Sequence, residues 1–174
     1  SITTGWGNAR PDFFKGKPYI NRGISGQTTP QMLIRFRQDV IDLKPKVVVI
    51  LAGTNDIAGN TGPSTIEMII DNIKNMAELA HANGIKVILS STLPVYDYPW
   101  KPGLEPVQKI FTLNKLLKGY TKEKGHIYLD YFTPMADERN GLPKKYAEDG
   151  VHPTVEGYKV MEPLVEAAIA KALE

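Results

Sequence analysis

The sequence predicts a three-layer α/β/α sandwich around a mainly parallel, flavodoxin-like sheet. Short apolar runs alternate along the chain with amphipathic segments, and the run 47–52 is continuous and rich in valine and isoleucine. Such a run is typical of a strand that is buried on both faces. Strands that alternate with helices pair in parallel through right-handed crossovers, which place helices on both faces of the sheet. Because the 174 residues contain no repeat and no low-complexity linker, we expect one domain over residues 1–174.

The strands are predicted from the apolar runs. The run 47–52 and the run 85–89 are the clearest, and 127–129 is a shorter run between two helical segments. The segment 18–24 is compatible with a further short strand. The predicted sheet therefore draws its strands from regions spread along the chain.

Four helices are predicted between and after these strands. Apolar residues recur at helical spacing in the first of them, where Thr28 or Thr29 can cap the helix and Pro30 suits its first turn. Asn83-Gly84 closes the second helix and Gly125 the third. The predicted helices span residues 30–43, 63–82, 105–124 and 155–173.

Unusual stretches of sequence follow the predicted strands. They are "GISGQT" (23–28), "GTND" (53–56), "STLPVYDYPW" (91–100) and "DGVHP" (149–153). In parallel α/β sheets the functional loops gather at the carboxyl ends of the strands. We therefore expect the functional site at this edge of the sheet.

Composition excludes several classes of function. Lysine plus arginine number 21 and aspartate plus glutamate 19, without a basic stripe, so nucleic-acid binding is not expected. The absence of cysteine excludes a cysteine nucleophile and a cysteine-ligated zinc site. The longest apolar run, 47–52, is too short to cross a bilayer, so stable membrane insertion is not expected. No metal and no cofactor are predicted.

Only one of the three histidines is a candidate general base. His81 lies near a helix end and His126 opens a strand, and both positions favour structural roles. His152 lies at the functional edge, and Pro153 favours an extended backbone that can project its ring. Asp149, three residues earlier, can accept the Nδ1 proton and leave Nε2 free as a base. The alternative is an aspartate that caps a turn beside a surface histidine.

Four blocks of the sequence resemble those of the SGNH, or GDSL-type, hydrolases. They are "SITTGW" (1–6), "NRGISGQTT" (21–29), "GTND" (53–56) and "DGVHPT" (149–154). They occur in the family's order and cover almost the whole chain. A lone "GTND" would be weak evidence, because asparagine is common in turns, but four ordered blocks are specific.

The resemblance implies a role for five residues. Ser1 stands at the position of the nucleophile, and Asp149 and His152 at those of the acid and base. Gly26 and Asn55 match the donors of the oxyanion hole, for which turn formation is the alternative role. A serine hydroxyl is a poor nucleophile until a base takes its proton, so the implied set is chemically consistent. We interpret Thr54 and Asp56, the neighbours of Asn55, mainly as residues that shape the loop.

The start of the sequence departs from the family pattern. Family members carry Gly-Asp-Ser at the end of a first strand in the middle of the sheet, and neither the Gly-Asp pair nor that strand occurs within residues 1–174. We therefore expect that the domain is truncated at its N-terminus and that about 20–30 further residues lie upstream.

The resemblance also implies the partner, a small-molecule carboxylic ester. The loop 93–104 carries Tyr96, Tyr98 and Trp100, which can stack on sugar faces, line an acyl pocket, or simply pack the loop onto the body. A small acyl group such as acetyl on a carbohydrate is the substrate we expect. No oligomeric state is predicted.

Other functions remain open from sequence alone. A non-catalytic domain could keep the fold as a ligand-binding module, and an acyltransferase could use the same covalent intermediate. Asp97, Asp130 and Asp137 could suggest a glycosidase pair of carboxylates, but only Asp130 lies at a strand end.

Overall fold

Three parallel strands form the central sheet of the computed structural model, which describes residues 1–174. They are β1 (Val47–Ile50), β2 (Lys86–Ser90) and β3 (Ile127–Leu129), and they lie side by side in that order. The register places Ile50 opposite Leu89, so both strands end at the same edge of the sheet. Three strands were predicted close to these positions.

Eight α-helices accompany the sheet, and the four long helical segments predicted from the sequence are among them. A π-helical turn, Arg37–Ile41, continues the third helix. No helix has both the length and the apolar character needed to cross a membrane. The helices are α1 (Ile2–Ala9), α2 (Pro11–Phe14), α3 (Thr29–Phe36), α4 (Thr54–Ile57), α5 (Ile66–Ala82), α6 (Pro106–Lys124), α7 (Phe132–Met135) and α8 (Val155–Leu173).

Two hydrophobic cores lie on opposite faces of the sheet. Val48 and Ile50 of β1 pack in the core formed with α3, α5 and α6. Val47 and Val49 point to the other face, where α1 and α8 supply the partners. This alternation is expected for a strand covered by helices on both sides. The three-layer α/β/α fold with a parallel sheet is confirmed.

Two predictions about strands are wrong in detail. The segment 18–24 forms no strand and runs as an irregular loop in which the Ile20 side chain is 67% exposed. β1 was predicted to be buried on both faces, but Val47, Val48 and Val49 are only partly buried. The partial burial of β1 has a physical reason, because β1 pairs with β2 alone and its other edge has no ladder partner.

Two helix starts lie beside the loops that carry the predicted site. The Thr28 N–H donates to the Gln31 side chain (3.0 Å) in a capping box that begins α3. The Thr154 hydroxyl accepts from the Gly157 N–H (3.2 Å) and begins α8. These caps fix the end points of the loops that contain Gly26 and His152.

Candidate active site

The carboxyl ends of the strands adjoin a cavity of about 700 Å³. Its lining includes Ser1, Gln27, Asn55 and Thr92, and it extends along the free edge of β1. Three of the predicted blocks thus meet around one space, as expected for loops at the carboxyl edge of a parallel sheet.

Ser1, His152 and Asp149 form a continuous chain of hydrogen bonds. The Ser1 Oγ lies 2.8 Å from His152 Nε2, and His152 Nδ1 lies 2.6 Å from Asp149 Oδ2. The chain brings together residues separated by 151 positions in the sequence. It has the connectivity of a nucleophile, a base and an orienting carboxylate.

The ionisation of Asp149 sets the tautomer of His152. Burial acts to raise the pKa of the Asp149 carboxyl, but hydrogen bonds from the side chain and backbone of His152 and from the Val151 N–H outweigh it, so the pKa lies below its ordinary value. An ionised carboxylate can only accept hydrogen bonds, so His152 Nδ1 carries the proton of a neutral ring. Nε2 is then the acceptor for the Ser1 hydroxyl.

A tight turn places Asp149 under the His152 ring. Gly150 has φ +78°, a conformation that glycine adopts without strain. The turn lets Asp149 Oδ1 accept from the backbone N–H groups of Val151 (2.9 Å) and His152 (2.8 Å). Asp149 Oδ2 therefore remains free to contact His152 Nδ1. The contact follows from the turn that a spacing of three residues allows.

The start of α1 is anchored on α8, the helix that follows His152. The Tyr158 hydroxyl donates to the Ile2 carbonyl (2.7 Å), and the Trp6 ring lies between those of Tyr158 and Phe13, with centroid distances of 5.4 and 5.2 Å. One helix therefore fixes both Ser1 and the histidine loop. The sequence pattern does not predict α1.

Gly26 lies on the loop before α3, and Asn55 lies on the loop after β1, which contains the single helical turn α4; the two loops contact each other. Asn55 Nδ2 donates to the Gln27 carbonyl (2.9 Å), and Asn60 Nδ2 donates to the Gly26 carbonyl (3.3 Å). Gly26 has φ +77°, and no heavy atom lies within 4 Å of the position that a Cβ would take. The second Asn55 amide hydrogen and the Gly26 N–H have no acceptor within the chain, so both can donate to a ligand.

A buried contact joins the same two loops behind Asn55. The Asp56 carboxylate accepts from the Thr29 N–H (3.0 Å) and hydroxyl (2.6 Å), and it is 2% exposed. The sequence indicates Asp56 as a residue that shapes the loop and Thr29 as a possible helix cap, but it does not predict their contact. The only signal in the sequence was a charged residue among the apolar and small residues that follow β1.

The three aromatic residues of the loop 93–104 have different environments. Trp100 is 46% exposed, and its ring centroid lies 5.9 Å from that of His152. Tyr96 is 54% exposed, with the Arg139 guanidinium 5.0 Å from its ring centroid. Trp100 therefore borders the candidate site, and Tyr96 is open to solvent.

The expectation that Tyr98 contacts substrate is wrong in this structure. Its side chain is fully buried, and its hydroxyl donates to the Thr54 carbonyl (2.9 Å) and lies 2.9 Å from the Thr54 hydroxyl. Burial raises the pKa of Tyr98 to about 12. Tyr98 thus supports the loop before Asn55 from within. The reason is packing, because an aromatic ring in a long loop has a large area to bury.

The remaining acids and histidines have local contacts. Asp97, Asp130 and Asp137 each accept hydrogen bonds from N–H groups of their own loops. The rings of His81 and His126 lie 5.6 Å apart, between the end of α5 and the start of β3. None of the five forms part of the chain from Ser1 to Asp149.

A serine, a histidine and an aspartate in contact at the carboxyl edge of a parallel α/β sheet are typical of the serine hydrolases. Residues 1–160 match the model of the GDSL-like lipase/acylhydrolase family, and the chain belongs to that family. It is accordingly an enzyme, a carboxylic ester hydrolase of the GDSL type.

Solved structures from two Bacteroides species are similar over nearly the whole chain. A GDSL-like lipase from Bacteroides thetaiotaomicron VPI-5482 is 51% identical, with a TM-score of 0.96 over 98% of this chain and 84% of that chain. A candidate acylhydrolase from Bacteroides fragilis NCTC 9343 is 50% identical, with a TM-score of 0.97 over 99% and 84%.

A more distant match is the uncharacterized lipoprotein YqeF of Bacillus subtilis (strain 168). It is 38% identical over 81 residues, which are 45% of this chain and 33% of that protein. The match therefore spans a third of the length of this relative.

Proposed function

We propose that this enzyme is a serine esterase that hydrolyses small acyl esters through an acyl-enzyme intermediate on Ser1. The observation that carries the proposal is the pair of contacts from Ser1 Oγ to His152 Nε2 (2.8 Å) and from His152 Nδ1 to Asp149 Oδ2 (2.6 Å). Family membership supports the same chemical class.

In the first half of the reaction Ser1 attacks the ester carbonyl carbon. His152 Nε2 takes the hydroxyl proton as the new bond from Oγ to carbon forms, and Asp149 stabilises the imidazolium. The carbonyl oxygen becomes an oxyanion that accepts from the Gly26 N–H and the Asn55 side-chain amide. When the intermediate collapses, the bond from carbon to the alcohol oxygen breaks and His152 protonates the departing alcohol.

In the second half water takes the place of the serine hydroxyl. His152 Nε2 removes a proton from water as the oxygen bonds to the acyl carbon. When the second oxyanion collapses, the bond from Ser1 Oγ to the acyl carbon breaks, His152 Nε2 returns the proton to Oγ, and the carboxylic acid is released. The same donors serve both oxyanions, so one oxyanion hole suffices.

We further propose that the acyl group is small, such as acetyl, and that the alcohol is a carbohydrate. Trp100 supports this because it is half-exposed and lies beside the His152 ring, where the leaving alcohol must sit. An exposed aromatic ring can stack on the apolar face of a sugar.

Hydrolysis of p-nitrophenyl acetate by the wild type and by Ser1→Ala tests the nucleophile. We expect kcat to fall by about 10⁶-fold in Ser1→Ala, as is typical when a triad nucleophile is removed. Thr112→Ala is the matched control, because it removes one hydroxyl from the exposed face of α6. Hydrolysis that survives Ser1→Ala would contradict the triad, and a wild type without esterase activity would favour a binding domain.

The substrate is tested by the Trp100→Ala variant. For an acetylated oligosaccharide we expect KM to rise about tenfold, the loss of one stacking contact, with little change for p-nitrophenyl acetate. Equal effects on both esters would contradict a role for Trp100 in binding the sugar.

A further inference from the structure

We propose that Asp56 is a positioning residue that holds Asn55 and the Gly26 loop together as one oxyanion hole. The inference rests on the proposed esterase function, and it assigns a role to a residue outside the triad and the donors. Asp56 does not reach the cavity, so its effect must pass through its neighbours.

The Asp56 carboxylate accepts hydrogen bonds from Thr29, the first residue of α3, at the end of the loop that carries Gly26. Both of its oxygens lie 3.0 Å from the Thr29 backbone nitrogen, and Oδ1 accepts from the Thr29 hydroxyl at 2.6 Å. Asn72 Nδ2 on α5 donates to the same hydroxyl at 3.1 Å. The Thr29 hydroxyl therefore donates its only proton to Asp56.

A helix terminus explains how a carboxylate is held here without a cationic partner. Thr29 is the first residue of α3, where free N–H groups and the helix dipole favour a negative charge. Asp56 and Thr29 are 2% and 1% exposed. Burial raises the pKa of the Asp56 carboxyl, and the hydrogen bonds from the Thr29 hydroxyl and N–H oppose that rise. A buried carboxyl fixes its hydrogen-bond partner closely, because any separation leaves buried polar groups unpaired.

The position of this contact in the two loops links it to catalysis. Asn55 directly precedes Asp56, and Gly26 lies three residues before Thr29. The neighbouring contact from Asn55 Nδ2 to the Gln27 carbonyl (2.9 Å) joins the same two loops. If the Asp56 contact is lost, the loops can separate and the Asn55 amide loses its fixed direction. Donors of an oxyanion hole stabilise the transition state strongly because they are already oriented before the reaction begins.

A double-mutant cycle with Asn55 tests the inference. We expect Asp56→Ala to lower kcat for p-nitrophenyl acetate about 30-fold, part of the loss caused by removal of a donor, with KM within threefold. In an Asn55→Ala background the same change should lower kcat less than threefold, because residues that act through one another are not additive. An equal loss in both backgrounds, or a change confined to KM, would overturn the inference.

Two milder variants keep the test valid if Asp56→Ala folds poorly. Asp56→Asn retains one oxygen that can accept from Thr29 and should recover part of the lost kcat. Thr29→Val keeps the backbone N–H but removes the hydroxyl, and it should lower kcat in the same direction by a smaller factor. Wild-type kcat in both would overturn the inference.

Ser91→Ala is the matched structural control. Ser91 is also fully buried after a strand, and its Oγ accepts from the N–H groups of Tyr131 and Phe132 (both 2.9 Å) at the start of α7. We expect this variant to lower Tm as Asp56→Ala does, with kcat within threefold of wild type. Equal losses of kcat in the two variants would assign Asp56 to fold stability alone.

A crystal structure of Asp56→Ala separates this inference from the proposed function. The contact between Asn55 Nδ2 and the Gln27 carbonyl should be lengthened or lost in the variant, whether or not the wild type hydrolyses esters. An unchanged contact would overturn the positioning role. Absence of Ser1-dependent hydrolysis in the wild type would instead count against the esterase proposal.

Discussion

The two halves of the candidate active site are held in different ways. The half with Ser1, His152 and Asp149 is a line of two hydrogen bonds, and the side chains of His152 and Asp149 are each 41% exposed. The half with Gly26 and Asn55 is built on two loops that are joined by several contacts, the innermost of which is buried.

This difference matches what each half does in the proposed reaction. The triad half changes its charge during the cycle, and partial exposure lets water stabilise the ionised Asp149. The oxyanion half moves no proton. Its dipoles are most effective when they need no reorganisation, which favours a rigid and buried support. A partly exposed triad and a buried support for the oxyanion donors therefore suit their different roles in the proposed reaction.

The largest effect in the triad half, apart from loss of the nucleophile, is expected for Asp149→Asn. We expect kcat for p-nitrophenyl acetate to fall about 10⁴-fold, because an amide favours the wrong tautomer of His152. The Asn oxygen can still accept from Val151 and His152 N–H groups, so Tm should stay near the wild-type value. A loss below tenfold would show that Asp149 only shapes the turn.

In the oxyanion half the largest effect is expected for Asn55→Ala. We expect kcat to fall 10²- to 10³-fold with KM little changed, as is typical when one oxyanion donor is removed. Asn60→Ala is the matched control, since its amide contacts the Gly26 carbonyl from the exposed side of the loop (3.3 Å). Comparable losses in both variants would indicate that loop support, not donation, is what Asn55 provides.

The sequence predicts the long helices and the strands of the fold but not α1 or the loop 18–24. The long helices and the strands have strong apolar periodicity, and their bounds agree with prediction within about three residues when the π-helical turn Arg37–Ile41 is counted with α3. α1 was missed because Gly5 and Gly7 weaken its helix propensity, and the stacking of Trp6 on Tyr158 and Phe13 overrides that weakness. The segment 18–24 was misjudged because strand pairing depends on partners that periodicity does not reveal.

The sequence also predicts the two halves of the site unequally. Asp149 and His152 are three residues apart, so their contact follows from a local turn. Asp56 and Thr29 are 27 residues apart, and neither local sequence predicts that their side chains are in contact. Burial of Tyr98 is likewise a tertiary property. Family blocks identify residues with chemistry, whereas the frame that supports them depends on long-range packing.

Gly23→Ala tests the place where the two halves touch. A Cβ on Gly23 would lie 2.6 Å from Thr3 Cβ and 2.7 Å from the Thr4 backbone nitrogen, so the Gly26 loop or the start of α1 must shift. We expect the free energy of unfolding to fall by about 1–3 kcal/mol. Activity on p-nitrophenyl acetate should fall about tenfold, since small misplacements of catalytic groups are costly.

Gly119→Ala is the control for this substitution. Gly119 lies within α6, and no heavy atom lies within 4 Å of the position that an alanine methyl would take, so alanine should raise stability by about 0.5–1 kcal/mol and leave activity unchanged. Full activity in Gly23→Ala would show that the two halves are mechanically independent.

The smallest effects expected are opposite pH dependences of stability in the two halves. The pKa of Asp149 is lowered by its hydrogen bonds, so its contribution to stability is present above the ordinary aspartate value of 3.8 and is lost as pH falls through the lower folded-state pKa. Burial raises the pKa of Asp56, so its contribution is complete below 3.8 and is lost as pH rises through the higher folded-state pKa.

Urea unfolding of the wild type, Asp149→Asn and Asp56→Asn between pH 2.5 and 6 measures both dependences. The stability of the wild type relative to Asp149→Asn should decrease as pH falls below about 4, because only the wild type has a carboxylate at position 149 that becomes protonated. Its stability relative to Asp56→Asn should decrease as pH rises above about 4. If the free energies of unfolding of the two variants depended on pH in the same way, both carboxyls would have similar environments. The contrast between the partly exposed triad and the buried support of the oxyanion donors would then be wrong.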